Sequence, residues 1–589
     1  MKKPFNFYSQ EKTAFEKEAA LLKSKSFNLS VFRFAVFLST SFLIYIMFGS
    51  YPAVFIIAFS GILLFSFLVI KQVNLQRKRA LIAAKININK IEIDVSNSVF
   101  HDLNAGKEFV NPLHSYSNDI DLFGVGSFFQ YTNRTVTNEG RALLSKVLTE
   151  NKTEGIVDKQ NTIKELSKKV RWRQHFSALA SLVTTKDTTD FIVGWIQNYK
   201  PVLPKFIKTI QIIFSTLSLV LIGMLFLGIF PFSSVLIWFF IGLFISGSLM
   251  KRTSNLYSET DKVRETFKQY HVLLNEIEGE EFLSKILQEK QVIIKSETKK
   301  ASKIFKEFSK ILDGFDQRNN ILIAFFGNGL FLSEIYNAYK VEKWISNYKH
   351  TVDKWFEVVA FFDAQNSLAN FYFNHPKFIF PEISAEKGII MSSNLGHPLL
   401  NIDKRIDNDF TINKEQFFIV TGANMAGKST FLRTISLSIV MANCGLPVCA
   451  TSFKYSPIKL ITSMRTTDSL TEDESYFYSE LKRLKFIVDE IKTTDYFIIL
   501  DEILKGTNSK DKAIGSKKFV EKLTKSKSTG IIATHDVSLC ELENEFSDIK
   551  NYYFDAEIIA DELHFDYTLK NGICKNMNAS FLLKKMEIV

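Results

Sequence analysis

From Phe34 to Ile70 the chain carries no charged residue, and it carries none again from Thr209 to Met250. Each run is about twice the ~20 residues that cross a bilayer as a helix. Turn formers break each run near its middle, Gly49-Ser50-Tyr51-Pro52 in the first and Gly228-Ile229-Phe230-Pro231 in the second. The pattern predicts two hairpins, with helices spanning a membrane at about 32–50, 52–71, 209–229 and 232–251. The competing arrangement is a helical hairpin buried in a soluble core, and charge-free runs of this length fit it poorly.

Basic residues flank both hairpins. Lys23, Lys25 and Arg33 precede the first, and Lys71, Arg77, Lys78 and Arg79 follow it. Lys200, Lys205 and Lys208 precede the second, and Lys251 and Arg252 follow it; the central turns are uncharged. An excess of Lys and Arg marks the cytoplasmic side, so both termini and most of the chain are expected there, in a multi-pass protein of the cell inner (cytoplasmic) membrane. Lys2-Lys3 is not followed directly by an apolar segment, so no cleavable signal peptide is expected. The net charge of +11 is explained in part by these flanks and does not by itself argue for nucleic acid. Cys444, Cys449, Cys540 and Cys574 form no disulfide framework, and the CGLPVC pair has no second ligand pair to make a metal site.

A different chemistry occupies the last third. Phe417–Val420 is an apolar, strand-like run, Thr421–Thr430 reads TGANMAGKST, and a helical stretch begins at Phe431. Gly422, Gly427, Lys428 and Ser429 satisfy G-x-x-x-x-G-K-[ST], with strand, loop and helix in the order a phosphate-binding loop requires. Backbone N–H groups of the loop, from Gly422 through Ala423, Asn424, Met425 and Ala426 to Gly427, would cradle phosphate at the positive end of the helix, and Thr430 is counted with them among the nucleotide-binding residues. Lys428 would reach the β- and γ-phosphates of ATP, and the Ser429 hydroxyl would sit on Mg²⁺. Tyr496–Leu500 (YFIIL) reads as a buried strand ending in Asp501-Glu502. Asp501 would hold the Mg²⁺ shell and Glu502 would polarise the attacking water. A third apolar run, Gly530–Ala533, ends in Thr534-His535-Asp536, where His535 is either a sensor of the γ-phosphate or a loop residue without a role.

TGANMAGKST, Asp468–Leu481 (DSLTEDESYFYSEL), Asp501–Asn508 (DEILKGTN) and Ala533–Asp536 (ATHD) together resemble the ATPase domain of the MutS family, a branch of the ABC-type ATPases named for mismatch repair. Asn424-Met425 is more specific to MutS-like proteins than the loop pattern is. Weaker similarity runs through Asp119–Leu144, Lys159-Gln160, Gly396-His397-Pro398, Phe565–Gly572 and Asn578-Ala579. The resemblance implies a homodimer in which Ser475 completes the nucleotide site of the opposite subunit; the bland role for Ser475 is a helix cap. This chain departs from the family pattern at Ala423 and Ala426, where Pro and Gly are usual, at Leu504-Lys505 for Gly-Arg, and at Asp536 for an aromatic. About a hundred residues precede the similarity to the core, and they are largely membrane-like. The family's mismatch-reading domain with its Phe-x-Glu wedge is therefore expected to be missing, as is a nuclease tail after the ATPase.

Residues 253–380 are charged and nearly free of Pro and Gly, as extended helices are. Lys295, Lys299, Lys303, Lys306 and Lys310 recur at helical spacing, opposite Ile294, Ala301, Ile304, Phe305, Phe308 and Leu312. The stripe is a solvated face, a double-stranded DNA contact, or a lipid-headgroup contact. The expected order is a cytoplasmic segment (1–30), a first hairpin (31–71), a helical core (72–204), a second hairpin (205–252), helical levers (253–385) and an α/β ABC-type P-loop ATPase domain (386–589). Two functions follow from it: an ATP-controlled DNA-binding ATPase at the membrane, or a mechanochemical membrane ATPase acting on a protein partner or lipid, with DNA binding lost.

Overall fold

The computed structural model describes residues 2–182, 189–295, 299–384, 390–465, 476–559 and 562–575. Four of the described helices are long and apolar enough to cross a bilayer. They are Lys2–Ile46, Tyr51–Ser96, Ile207–Phe226 and Phe232–Gly279. Their breaks fall at the Gly-containing turns, where Pro52 and Pro231 open the returning helices.

Three of the four helices run well past the expected domain borders. The N-terminal segment and the first apolar run belong to one continuous helix, Lys2–Ile46. Nothing breaks the chain at residue 72 or 253 either, since Tyr51–Ser96 and Phe232–Gly279 continue out of their apolar runs as charged, amphipathic helices. The continuations are pinned by polar contacts. Gln72 Nε2 donates to Ser26 Oγ at 3.0 Å between the helices of the first hairpin, and Arg134 Nε meets Glu92 at 2.6 Å. Tyr8 Oη donates to Asn374 at 2.8 Å. A buried ion pair and buried hydrogen bonds at these points fix how each stalk meets the core more than they add stability.

Val352–Asn374 is the axial helix of the core and is buried on nearly every side. A helix buried all round needs partners on each face. It finds Asn138–Thr149 and Ile156–Lys168 on one side and the lever helices on the other. Asp363 in its middle accepts hydrogen bonds from the Val136 and Thr137 amides and from Thr137 Oγ1 (2.7 Å), which caps Asn138–Thr149. Burial pushes the Asp363 carboxyl up to about 6.

The lysine stripe is not one helical face. Lys285–Ile294 ends before it and a new helix, Ala301–Asp316, begins after it. The cause is a long-range cap: buried Glu278 accepts from the Ser302 amide at 2.9 Å and from Ser302 Oγ at 2.5 Å, satisfying the new helix's first turn. Lys303, Lys306 and Lys310 share an exposed face, Lys299 pairs with Glu307, and Lys295 lies at the end of the preceding helix. The opposite face is buried as its apolar spacing requires, at Ala301, Ile304, Phe305, Phe308 and Leu312. The lever region also contains Ile321–Phe331, an almost wholly apolar helix that breaks its charged character.

The C-terminal domain holds two sheets. A small one orders its strands Glu382–Ile383, Ser452–Tyr455, Ile390–Leu395 and Asn408–Ile412. The larger, six-stranded sheet runs Glu562–Asn571, Ile549–Ile559, Phe417–Gly422, Thr529–Ala533, Tyr496–Asp501 and Lys459–Ser463, all parallel except the first. Phe417–Gly422 and Thr529–Ala533 are buried along their whole length, as parallel strands covered on both faces must be.

Candidate nucleotide-hydrolysis site

Sheet register brings the chemistry together. Val420 and Asp501 both pair with Ala533, so three neighbouring strands end side by side. Just past those ends lie the loop from Gly422, the Asp501-Glu502 pair and His535. Ligands of open parallel sheets bind at this carboxyl edge.

The loop closes through Met425 (φ 68°) and Gly427 (φ 103°), and the helix Lys428–Asn443 begins at the next residue. A Cβ on Gly427 would stand 3.0 Å from the Tyr567 ring, in a backbone conformation that L-residues avoid. Ala423 and Ala426 are both buried, so the methyls that replace the family's usual residues are packed. Lys428 Nζ donates to the carbonyls of Gly422 (2.8 Å) and Ala423 (2.9 Å) and lies 3.4 Å from His535 Nε2. Burial pulls the Lys428 pKa down, against the attraction of Glu502 and Asp501.

Ser429 Oγ donates to Asp501 Oδ2 at 2.7 Å, the pair expected around Mg²⁺. Burial raises the Asp501 pKa, which the Ser429 hydrogen bond partly offsets. An oxygen-only donor set with a desolvated carboxylate fits a hard divalent cation, whose charge would relieve that burial. Glu502 Oε1 lies 2.8 Å from His535 Nε2, and Lys505 Nζ is 3.5 Å from Glu502 Oε2. The His535 hydrogen bond, aided by Lys505, holds the Glu502 carboxyl down at about 2. Because that pKa is depressed, the stability it carries is present above about 4.5 and lost as pH falls toward about 2. The gap in thermal midpoint between wild type and Glu502→Gln is therefore expected to narrow as pH falls below about 4.5; unfolding followed by circular dichroism across acidic pH checks it.

The turn after the acid pair is unusual. Glu502 has φ 49° and Leu504 φ 61°, left-handed conformations that cost side-chain-bearing residues about 1–3 kcal/mol. Surrounding bonds hold it. The Glu502 amide donates to the Ala533 carbonyl at 2.9 Å, and buried Glu480 accepts from the amides of Leu504 (2.5 Å) and Lys505 (3.0 Å). Glu480 belongs to Tyr476–Glu490, the helix that follows Ser475; Ser475 itself lies outside the described residues.

Several participants are given no chemical role by the sequence, although His397, Tyr567 and Asp119 fall in stretches that resemble the family. A cavity of about 440 Å³ opens over the loop and is walled by His397, Leu400, Arg405, Ile406 and Tyr567 together with Met425. Arg405 pairs with Asp407 at 2.5 Å, which stiffens that wall. The floor of the domain is tied to the core through Asp119, which accepts from Thr462 Oγ1 (2.5 Å) and from the Met464 and Arg465 amides. Asp121 receives Arg465 in a two-point contact and Arg433, on the loop's own helix, at 3.3 Å. Core and nucleotide site thus share a charged joint through the Asp119–Asp121 segment. All four cysteines are buried thiols.

A phosphate loop, a paired hydroxyl and carboxylate, and a glutamate–histidine contact at adjoining parallel-strand ends define an ATPase-type nucleotide-binding domain. Residues 418–585 match the family model for MutS domain V. It is similar to the DNA mismatch repair protein MutS of Finegoldia magna, 31% identical over 225 residues, which cover 37% of this chain and 26% of that protein. It is also similar to the DNA mismatch repair protein MSH4 of Arabidopsis thaliana, 30% identical over 30% of this chain and 23% of the relative. Human MutS protein homolog 4 is 28% identical over 33% of this chain and 21% of the relative. The matched segment therefore spans about a quarter or less of the length of these relatives.

Proposed function

We propose that this protein is a membrane-anchored, MutS-type ATPase that hydrolyses Mg²⁺-ATP as a homodimer and binds double-stranded DNA under nucleotide control. The observation that carries the reading is the meeting of Ser429 with Asp501 and of Glu502 with His535 at one sheet edge. Asp501 and Ser429 would hold Mg²⁺, which supplies charge neutralisation at the phosphates. Glu502 accepts the proton of the attacking water, and His535, bonded to it, orients that carboxylate. Four spans and a cytoplasmic ATPase are supported by the apolar helices with their basic flanks.

Ser475 from the partner subunit completes each site in this reading. Subunits carrying Lys428→Ala and subunits carrying Ser475→Arg are each expected to be inactive. Mixed, they regain one working site per heterodimer, and ATP hydrolysis across mixing ratios measures it. No recovery at any ratio counts against a shared site.

DNA enters through the names of the relatives and through the exposed face of Lys303, Lys306 and Lys310. Lysines neutralise phosphates without reading bases, so binding without strong sequence preference is expected. Changing all three to Glu is expected to flatten the dependence of log K on log salt by up to about 3, at about 0.9 per phosphate contact. Titration of labelled duplex with the detergent-solubilised protein reads that slope. An unchanged slope, or no DNA binding at low salt, moves the assignment to the protein- or lipid-directed ATPase.

A further inference from the structure

Ile321–Phe331 (ILIAFFGNGLF) sits between charged lever helices yet turns its apolar side chains outward: Ile321 is 82% exposed, Leu322 68% and Phe326 55%. Exposed apolar residues in so tight a cluster need a non-aqueous neighbour. Their surroundings identify it. The helix packs on the apolar part of Phe232–Gly279 and on Ile207–Phe226, the two helices of the second hairpin.

The contact is close and specific. A Cβ on Gly242 would stand 2.2 Å from the Gly329 carbonyl oxygen, and one on Gly329 would stand 2.1 Å from the Phe239 ring. Small residues that let helix backbones approach are the packing device of helices in lipid. Phe239 also packs edge-on against Phe325, with ring centroids 4.9 Å apart.

Polar groups at this depth are satisfied from within. Gln211 Nε2 and Ser215 Oγ, both on the apolar helix Ile207–Phe226, donate to the Phe331 carbonyl at 3.2 Å each. Asn328 Oδ1 accepts from the Glu334 amide at 2.9 Å and from Ser333 Oγ at 3.1 Å, closing the sharp turn at Leu332. Backbone that leaves a helix inside a bilayer requires such partners; at a wet surface water would serve. Beyond that turn the axis swings by 85° into Ser333–Tyr348.

Both ends come back to the same level. Glu334 accepts from Thr253 Oγ1 at 2.5 Å, next to Lys251 and Arg252, and Arg318 meets Glu334 at 3.2 Å. Between those ends the helix reaches Phe239, twelve residues from Lys251, or about 18 Å along a helix rising 1.5 Å per residue. Against a hydrocarbon core ~30 Å thick that is about half way.

We propose that Ile321–Phe331 is a re-entrant membrane helix, which enters the cytoplasmic leaflet beside the second hairpin and returns to the cytoplasmic side, with bilayer hydrocarbon covering Ile321, Leu322 and Phe326. This rests on the membrane reading of the hairpins. It makes the second membrane unit a three-helix body. It also seats the lever helices on either side, Ala301–Asp316 and Ser333–Tyr348, directly on a membrane element.

The test places one nitroxide at a time in the full-length protein reconstituted in phosphatidylcholine liposomes and compares collision rates with oxygen and with a water-soluble nickel chelate. Leu322→Cys and Phe326→Cys carry the probe sites. Leu219→Cys, on Ile207–Phe226, reports the hairpin, and Ser346→Cys, on the exposed face of Ser333–Tyr348, reports water. The expected oxygen-to-nickel ratio at 322 and 326 matches that at 219 and exceeds that at 346 several-fold. A ratio at 322 and 326 matching 346, with 219 in lipid, overturns the re-entrant helix and leaves the hairpins standing. Low access to both reagents at 322 and 326 means protein covers the helix, and overturns the proposal as well. An aqueous ratio at 219 overturns the membrane reading itself, and this inference with it.

Discussion

Replacing Glu502 by Gln is expected to slow ATP hydrolysis by about 10²–10⁴-fold, the usual worth of a positioned general base, while ATP binding stays near wild type. The carboxylate acts on water only as the bond to phosphate changes, so its loss falls on kcat and spares the ground state. Gln keeps the size of the side chain and a hydrogen-bond acceptor toward His535, which stands 2.8 Å away. It also keeps the left-handed backbone at residue 502 under the same restraint from the Ala533 carbonyl. Single-turnover hydrolysis beside equilibrium binding of a fluorescent ATP analogue separates the two effects. Wild-type turnover in Glu502→Gln would show that another group activates the water.

Lys428→Ala is expected to act at the earlier step, weakening ATP binding by about 100-fold, or roughly 2.7 kcal/mol, the scale of charge-assisted hydrogen bonds to phosphate. Two causes add. The variant removes the cation that meets the β- and γ-phosphates. It also removes the bonds from Nζ to the carbonyls of Gly422 and Ala423, at 2.8 and 2.9 Å, which brace the loop. Isothermal titration with a non-hydrolysed ATP analogue, together with a far-ultraviolet spectrum to verify folding, checks the size. Undiminished affinity would mean that the loop's amides alone hold the nucleotide.

The residues legible in the sequence are those whose chemistry is local. Phe417–Gly422, Tyr496–Asp501 and Thr529–Ala533 are short apolar runs that stop at polar residues, and such runs form buried parallel strands whatever lies far away. Their ends place Lys428, Ser429, Asp501, Glu502 and His535 in one crevice, a consequence of strand order and register. Contacts set by distant segments were not legible. Glu278 breaks the lysine stripe by capping a helix 24 positions later in the chain. Asp119 secures the ATPase domain across some 345 positions, and within DIDL nothing distinguishes it from a solvated acid. Tyr567, on the edge strand of the larger sheet, and the His397–Ile406 wall, between two strands of the small sheet, meet over the loop through the packing of segments distant in the chain.

Ile321–Phe331 gives no sequence signal for a different reason. A scan for spans looks for about 20 apolar residues, and this helix is too short to satisfy it. Its meaning appears only when Gly329 is seen against Gly242 and Phe239. Leu504 is the reverse case. The substitution of a side-chain-bearing residue for the family's glycine is visible in the sequence, but the left-handed φ of 61° that makes it costly is visible only in the fold.

The most direct test of a MutS-type ATPase carried on a membrane-spanning chain is Mg²⁺-dependent ATP hydrolysis by the full-length protein in liposomes floated through a density gradient at high salt, wild type beside Glu502→Gln. Hydrolysis is expected to rise with the liposomes in the wild type and to fall by about 10²–10⁴-fold in the variant. Hydrolysis that stays with unfloated protein, or that floats equally in both, would contradict it.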